Sequence, residues 1–260
     1  MELVRKIVRV GNSSGVVLPI EWLNGTAKVE LVRKPLKIKK DILEIIDTYL
    51  ESVLGVYLTG SYARGEETEN SDVDVLVITD NLNKRIENGK YNIVMVSESE
   101  LKEQVKKIAF PLIPMIIESK ALINKNLMKE ISKTVNINRE NIKPVIELAK
   151  SSLNINKHFI DLDKELLTKT SSTVAYSLIL NLRTLYIIDC LRKNKKWSSK
   201  ELKSIIKRIT GNLKLYEEYL RVKGGEKAKD NIPIEEAEKL YYYIKDKIFE
   251  IEKWLKGRKD

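Results

Sequence analysis

Gly60-Ser61-Tyr62-Ala63-Arg64-Gly65-Glu66 closes the short apolar run Gly55 to Thr59, and Ser71-Asp72-Val73-Asp74-Val75-Leu76-Val77 opens another. Ten residues separate Ser61 from Asp72. A glycine at a strand end lets an anion approach the backbone, and a serine opening the next helix adds its hydroxyl and the first amides. Asp72 and Asp74, two apart on a strand, project from one face with Cα atoms about 6.5 Å apart. Carboxylates so placed repel unless a cation lies between them. A hard ion such as Mg2+ fits there, with nucleotide phosphates completing its shell. Arg64, one turn into the helix, either reaches a phosphate oxygen or pairs on the surface with Glu66 or Glu67.

Working outward, Ile38, Ile42, Ile45, Ile46, Leu50 and Leu54 recur at helical spacing, which predicts a helix over 36–54. Val73 to Ile78 and Tyr91 to Val96 read as further strands, with helical or turn-rich stretches between them. After about Arg139 the strand pattern stops, and amphipathic helices are expected near 139–168, 171–194, 198–220 and 234–256.

Read whole, Gly60-Ser61 to Asp72-Val73-Asp74 resembles the Gly-Ser-x10-Asp-x-Asp signature of minimal nucleotidyltransferases of the DNA polymerase β superfamily. That resemblance implies an NTP, ATP or another, whose triphosphate rests on the Gly60-Ser61 turn. It also implies Mg2+ held by Asp72 and Asp74, and an acceptor oxygen that attacks the α-phosphate as pyrophosphate leaves. Arg64 would assist in binding the nucleotide. The family usually carries a third acidic residue on a neighbouring strand, where this sequence has Asn92, an amide that accepts hydrogen bonds but is no base. Glu118 would replace it if Met115 to Ile117 forms the next strand. A reduced or lost activity is the alternative, leaving a degenerate transferase fold.

At the other end of the chain, Val4 to Val10 is expected to form a strand running into the turn cluster Gly11 to Gly15. A second strand follows at Gly15 to Pro19, a helical turn at Ile20 to Leu23, and a third strand at Ala27 to Val32. Arg5-Lys6-x-x-Arg9-x-Gly11-Asn12-Ser13-x-Gly15-Val16-x-Leu18-Pro19 resembles the AbrB/MazE-type swapped-hairpin DNA-binding domain. The resemblance implies a homodimer with Arg5, Lys6, Arg9, Asn12 and Ser13 facing DNA. The alternative is a β-rich appendage that only dimerises. Nine Lys or Arg against three Glu in residues 1–40 supply +6 of the chain's +10 formal charge, which favours an anionic partner.

The helical segment resembles HEPN and kanamycin nucleotidyltransferase carboxy-terminal domains through Leu180 to Tyr186 and Tyr216 to Lys223. The HEPN ribonuclease pair cannot be built, because His158 is the only histidine and no Arg precedes it at the required distance. Arg183, Arg221 and Lys223 read more readily as water-facing cations than as phosphate ligands. Tyr241-Tyr242-Tyr243 reads as packing, and His158 as a surface residue.

The expected fold class is α+β: an amino-terminal β-hairpin domain over 1–35, a small mixed-sheet nucleotidyltransferase domain over 36–136, and a helical bundle over 137–260. With 43% hydrophobic and 32% charged residues the composition is that of a globular chain. A single cysteine, Cys190, excludes an internal disulfide, and one histidine excludes a Cys/His zinc cluster. No uninterrupted apolar stretch approaches 18 residues, so a cytoplasmic protein without membrane association is expected. The acceptor is not legible, although a protein hydroxyl is one candidate.

Overall fold

A computed structural model describes residues 3–31, 36–69, 71–166, 169–229 and 231–257. Backbone contacts divide the chain between Lys37 and Ile38 into two units.

The first unit holds an antiparallel hairpin of β1 (Ile7–Val10) and β2 (Ser13–Val16), closed by a two-residue loop that places Val10 opposite Ser13. This register starts the second strand two residues earlier than the sequence suggests, because Gly11-Asn12 alone makes the turn and Ser13 enters the ladder. A 3-10 turn follows at Ile20–Trp22. The third strand expected at 27–32 is absent over 27–31; Val32 lies outside the described residues. Val4, Val10, Val17, Ile20, Leu23 and Val29 are all more than half exposed. Roughly 30 residues cannot bury a core of their own, and here they do not.

The second unit begins with α1 (Ile38–Ile45), which ends earlier than expected: a 3-10 turn takes Asp47–Ser52, and β3 (Val53–Leu58) claims Val53 and Leu54. Helix α2 (Gly60–Arg64) leads to β4 (Val73–Thr79), β5 (Lys84–Asn88) and β6 (Tyr91–Ser97). Then come α3 (Glu98–Lys107), α4 (Leu112–Glu118), β7 (Lys120–Ile123) and α5 (Lys125–Thr134). The sheet order is β5-β6-β4-β3-β7, with β4 and β6 parallel and the other pairs antiparallel. Strand β5 was hidden in the sequence because only Ile86 is apolar in Lys-Arg-Ile-Glu-Asn; charged residues on an edge strand discourage pairing with another chain.

Strand alternation separates two faces. Val73, Val75, Val77 and Ile93 pack on Ile42 of α1 and on Ile46 just after it, all fully buried. Burying two such isoleucines contributes roughly 3–6 kcal/mol before chain entropy is counted. On the other face Tyr57, Leu76, Ile78 and Val96 join the core of the helices.

Those helices are α6 (Arg139–Glu165), α7 (Ser172–Arg192), α8 (Ser199–Thr210), α9 (Lys214–Lys223) and α10 (Ile234–Gly257). Residues 167–168, in the expected reach of α6, lie outside the described residues. The single helix expected over 198–220 is two, because Gly211 adopts φ +87°, a conformation that closes a helix and that other residues resist. Helix α7 is long and apolar enough to cross a membrane by length and composition. In the fold it is the central helix of the bundle, packed by α6, α9 and α10 and buried through Ala175, Leu178, Ile179, Leu182 and Ile188. Because sheet and bundle share one apolar cluster, the end of the sheet that carries Asp74 is held against the helices.

Candidate active site

The strand order brings the chain ends of interest together. Leu58 pairs with Val75 and with Lys120, so Gly60, Asp74 and Glu118 meet at one end of the sheet. Asp72 precedes β4 and Asp74 lies within it, one residue into the strand. The β4–β6 register sets Asn92 beside Asp74, and β5 sets Glu87 opposite Asn92 on the same face.

Gly60 takes φ +68°, and a Cβ there would press into the Asp74 carboxylate. A glycine is required twice over, by backbone and by space. Asp74 is then largely desolvated. Burial raises its pKa above the ordinary carboxylate value, against the opposing pull of Lys223, the Asn92 hydrogen bond and Arg183; the nearby Asp72 raises it further. Lys223, at the end of α9, meets Asp72 Oδ2 at 3.3 Å. Lys223 of the helical half thus meets the carboxylate pair, while the exposed Arg183 acts on Asp74 through its charge alone. For Lys223 this corrects the expectation of a water-facing role: α9 ends over the sheet, a placement invisible in its own periodicity. Arg221 does bond elsewhere, to Glu218 and Glu226.

Arg64 is committed within the protein. Its Nε donates to Glu66 Oε2 at 2.9 Å and its Nη1 to Glu118 Oε2, with the side chain 15% exposed. The surface pairing with Glu66 is therefore present, but in a buried form, and a direct hold on phosphate would require breaking one of these pairs. Glu118 is not a strand carboxylate. Met115 to Ile117 lies in α4, and Glu118 ends that helix, accepting from Gly60 N–H at 2.8 Å and from Trp197 Nε1–H at 3.1 Å. Its lone pairs are spent on the turn, so it does not stand in for the third acid. Ser61 follows Gly60, half-buried, and its carbonyl accepts the Gly65 and Glu66 amides that close α2. Beside it Thr59 Oγ1 is buried with no protein hydrogen-bond partner among the described residues.

Among the described residues no three His, Cys, Asp or Glu side chains cluster to hold a metal. The donor set is two carboxylates with an amide beside them. That suits an ion which keeps water and takes phosphate oxygens, as Mg2+ does, better than one that needs a full protein cage. Burial penalises the negative charge of Asp74, and a cation held between the carboxylates would offset that penalty.

In the first unit Arg5, Lys6, Arg9, Asn12 and Ser13 are all exposed, and Arg9 Nε donates to Gly11 O at 2.9 Å across the hairpin turn. Tyr241 is buried, Tyr242 is half exposed and His158 is exposed.

Residues 39–138 match the model of the nucleotidyltransferase domain family, a span that contains the whole sheet and both aspartates. The chain carries a nucleotidyltransferase domain and is an enzyme of the transferase class. Solved structures that resemble it include a nucleotidyltransferase-like protein from Exiguobacterium sibiricum 255-15, at 13% identity and TM-score 0.35, over 82% of this chain and 73% of that one. Another is a spectinomycin adenyltransferase from Enterococcus faecialis crystallised with ATP and spectinomycin, at 11% identity and TM-score 0.40, over 81% of this chain and 97% of that one. No curated protein matches the sequence significantly.

Proposed function

We propose that the chain transfers a nucleotidyl group, AMP from ATP, to a hydroxyl-bearing acceptor such as a protein side chain, with Mg2+ held by Asp72 and Asp74. The observation that carries this reading is the ion pair of Lys223 with Asp72 beside the partly buried Asp74, with Arg183 near enough for its charge to act on Asp74. Acid and base side by side match a metal triphosphate, whose ion needs the carboxylates and whose phosphates need the cations.

When bound, Mg2+ would neutralise the departing pyrophosphate and polarise the α-phosphate. The chain's own part is placement. Lys223 leaves Asp72 for the phosphate tail, and Arg183 balances charge near Asp74. Asn92 donates to Asp74 and holds that carboxylate in orientation. Gly60 and Ser61 present a turn close enough for the triphosphate to rest on, with Arg64 supporting the turn from behind.

Calorimetric titration of ATP, and then of the other NTPs, with and without Mg2+ tests the reading. Wild type is expected to bind only with metal, and the Asp72→Asn/Asp74→Asn double variant not to bind. Absence of binding by wild type would remove the reading in favour of a degenerate fold. Asn92→Asp separates weak from absent chemistry: a gain of about tenfold in pyrophosphate release marks a working site that lacks its third acid.

A second reading concerns the amino-terminal unit. Its exposed Arg5, Lys6 and Arg9, and the apolar residues it leaves uncovered, favour an AbrB-like hairpin that pairs with a second copy and binds DNA, as in an antitoxin-type regulator. Gel shifts of random and promoter-derived duplexes test it. Arg9→Ala should weaken binding and flatten its salt dependence by about one counterion. On this reading the carboxy-terminal bundle plays a HEPN-like supporting role and the protein is a cytoplasmic homodimer.

A further inference from the structure

Behind the Gly60-Ser61 turn the side chains of Arg64, Glu66, Glu118, Trp197 and Ser199 form one hydrogen-bonded network that neither metal nor phosphate binding uses. Glu118 uses both oxygens. Oε1 accepts the Gly60 amide at 2.8 Å, and Oε2 accepts Trp197 Nε1–H at 3.1 Å together with Arg64 Nη1. Arg64 then passes to Glu66 through Nε at 2.9 Å. The Glu66 carboxylate in turn caps α8, taking Ser199 N–H at 3.1 Å and Ser199 Oγ–H at 3.0 Å. Burial pushes the Glu66 carboxyl up, but the bonds from Arg64 and Ser199 outweigh it and hold the group below the ordinary carboxylate range.

The end of the α7–α8 loop that enters α8 is pinned this way. Trp197 is 8% exposed, and Ser198 N–H donates to Tyr186 Oη at 3.0 Å, so the loop has little freedom of its own. Residues 60–66 and 197–199 are separated by more than 130 positions, and Glu118 is the residue that touches both the turn's first amide and the loop's indole. A surface ion pair would give no such continuity. Carboxylates 10–20% exposed that share one guanidinium are held firmly, because releasing any one leaves another charge unpaired in a poorly hydrated place.

From this geometry we infer that Glu118 is a positioning residue: through it the α7–α8 loop of the helical bundle sets the Gly60-Ser61 turn on which the nucleotide rests. The inference builds on the nucleotide-binding reading above and adds that turn and loop move as one. Occupancy at the turn is felt at Trp197, and disturbance of the loop is felt at the nucleotide. No covalent step is involved.

The test uses the full chain labelled with 5-fluorotryptophan. Three tryptophans, Trp22, Trp197 and Trp254, give three 19F resonances, and the loss of one in Trp197→Phe assigns the reporter. Mg2+ with α,β-methylene ATP is titrated while calorimetry follows binding in parallel. The Trp197 resonance should shift along the calorimetric binding curve while Trp22 and Trp254 stay in place. In Glu118→Gln, which keeps the volume but removes the charge that Arg64 needs, affinity should fall about tenfold and the Trp197 shift should vanish. Binding by calorimetry with a stationary Trp197 resonance would overturn the inference, as would a Glu118→Gln variant with wild-type affinity. No binding at all would instead remove the nucleotide reading, and this inference with it.

Discussion

The backbone amide of Gly60 donates to Glu118 Oε1 at 2.8 Å across 58 positions of sequence. The contact joins the first residue of α2 to the last of α4, and it spends an amide that a phosphate would otherwise take. Glu118→Ala removes three hydrogen bonds at once and leaves Arg64 partly unpaired while largely buried. A loss of roughly 2–4 kcal/mol is expected, measured as a lower urea midpoint with an unchanged slope.

Gly60→Ala should be costly for a different reason. Its φ of +68° alone penalises an L side chain by about 1–2 kcal/mol, and the new methyl meets the Asp74 carboxylate. We expect a lower Tm together with a loss of Mg2+-dependent nucleotide binding of at least about tenfold. Intact affinity would show that the turn does not form the nucleotide's seat.

For Asp74 the expected sign is reversed. Its folded pKa is raised above its unfolded value, so the folded state binds the proton more tightly. Stability linked to this group is present below the unfolded pKa and is lost as pH rises through the folded one. Asp74→Asn removes that dependence. It should match wild type in strong acid and exceed it at pH 7, read as a higher Tm there. Thermal melts across pH 3–8 give the comparison. Equal curves for the two proteins would show that Asp74 carries no burial penalty.

Lys223→Ala separates binding from stability. The pair with Asp72 is 44% and 38% exposed, so its loss should move stability by no more than about 0.5 kcal/mol. Nucleotide affinity is expected to fall about tenfold, because a cation is lost from the phosphate side of the site. A variant that unfolds early yet binds normally would reverse both assignments.

Much of the site was legible in the sequence because it depends on local geometry. Residues two apart in a strand share a face whatever surrounds them, so Asp72 and Asp74 could be paired by spacing alone, and the Gly-Ser turn by its place at the end of an apolar run. The β4–β6 register then sets Asn92 beside Asp74, at the position the family resemblance had suggested for a third acid. Helices α6, α7 and α10 followed from periodicity, since an apolar stripe of that length has one way to be buried.

What escaped the sequence depends on neighbours. Strand β5 exists because β6 offers it a ladder, while its own Lys-Arg-Ile-Glu-Asn carries almost no strand signal. The run before Glu118 is equally apolar as strand or helix, and the core that α4 shares with α3 and α5 decided for helix. Lys223 and Arg183 look like any surface cations until the bundle packs against the sheet. Arg64, Glu66, Glu118, Trp197 and Ser199 come from three separate segments, with no spacing to connect them. Sequence alone determined the chemistry of the carboxylate pair, because side-chain type and strand period are local. Tertiary structure alone decided which charges oppose that pair and what supports its turn, because those partners are chosen by burial in a shared core.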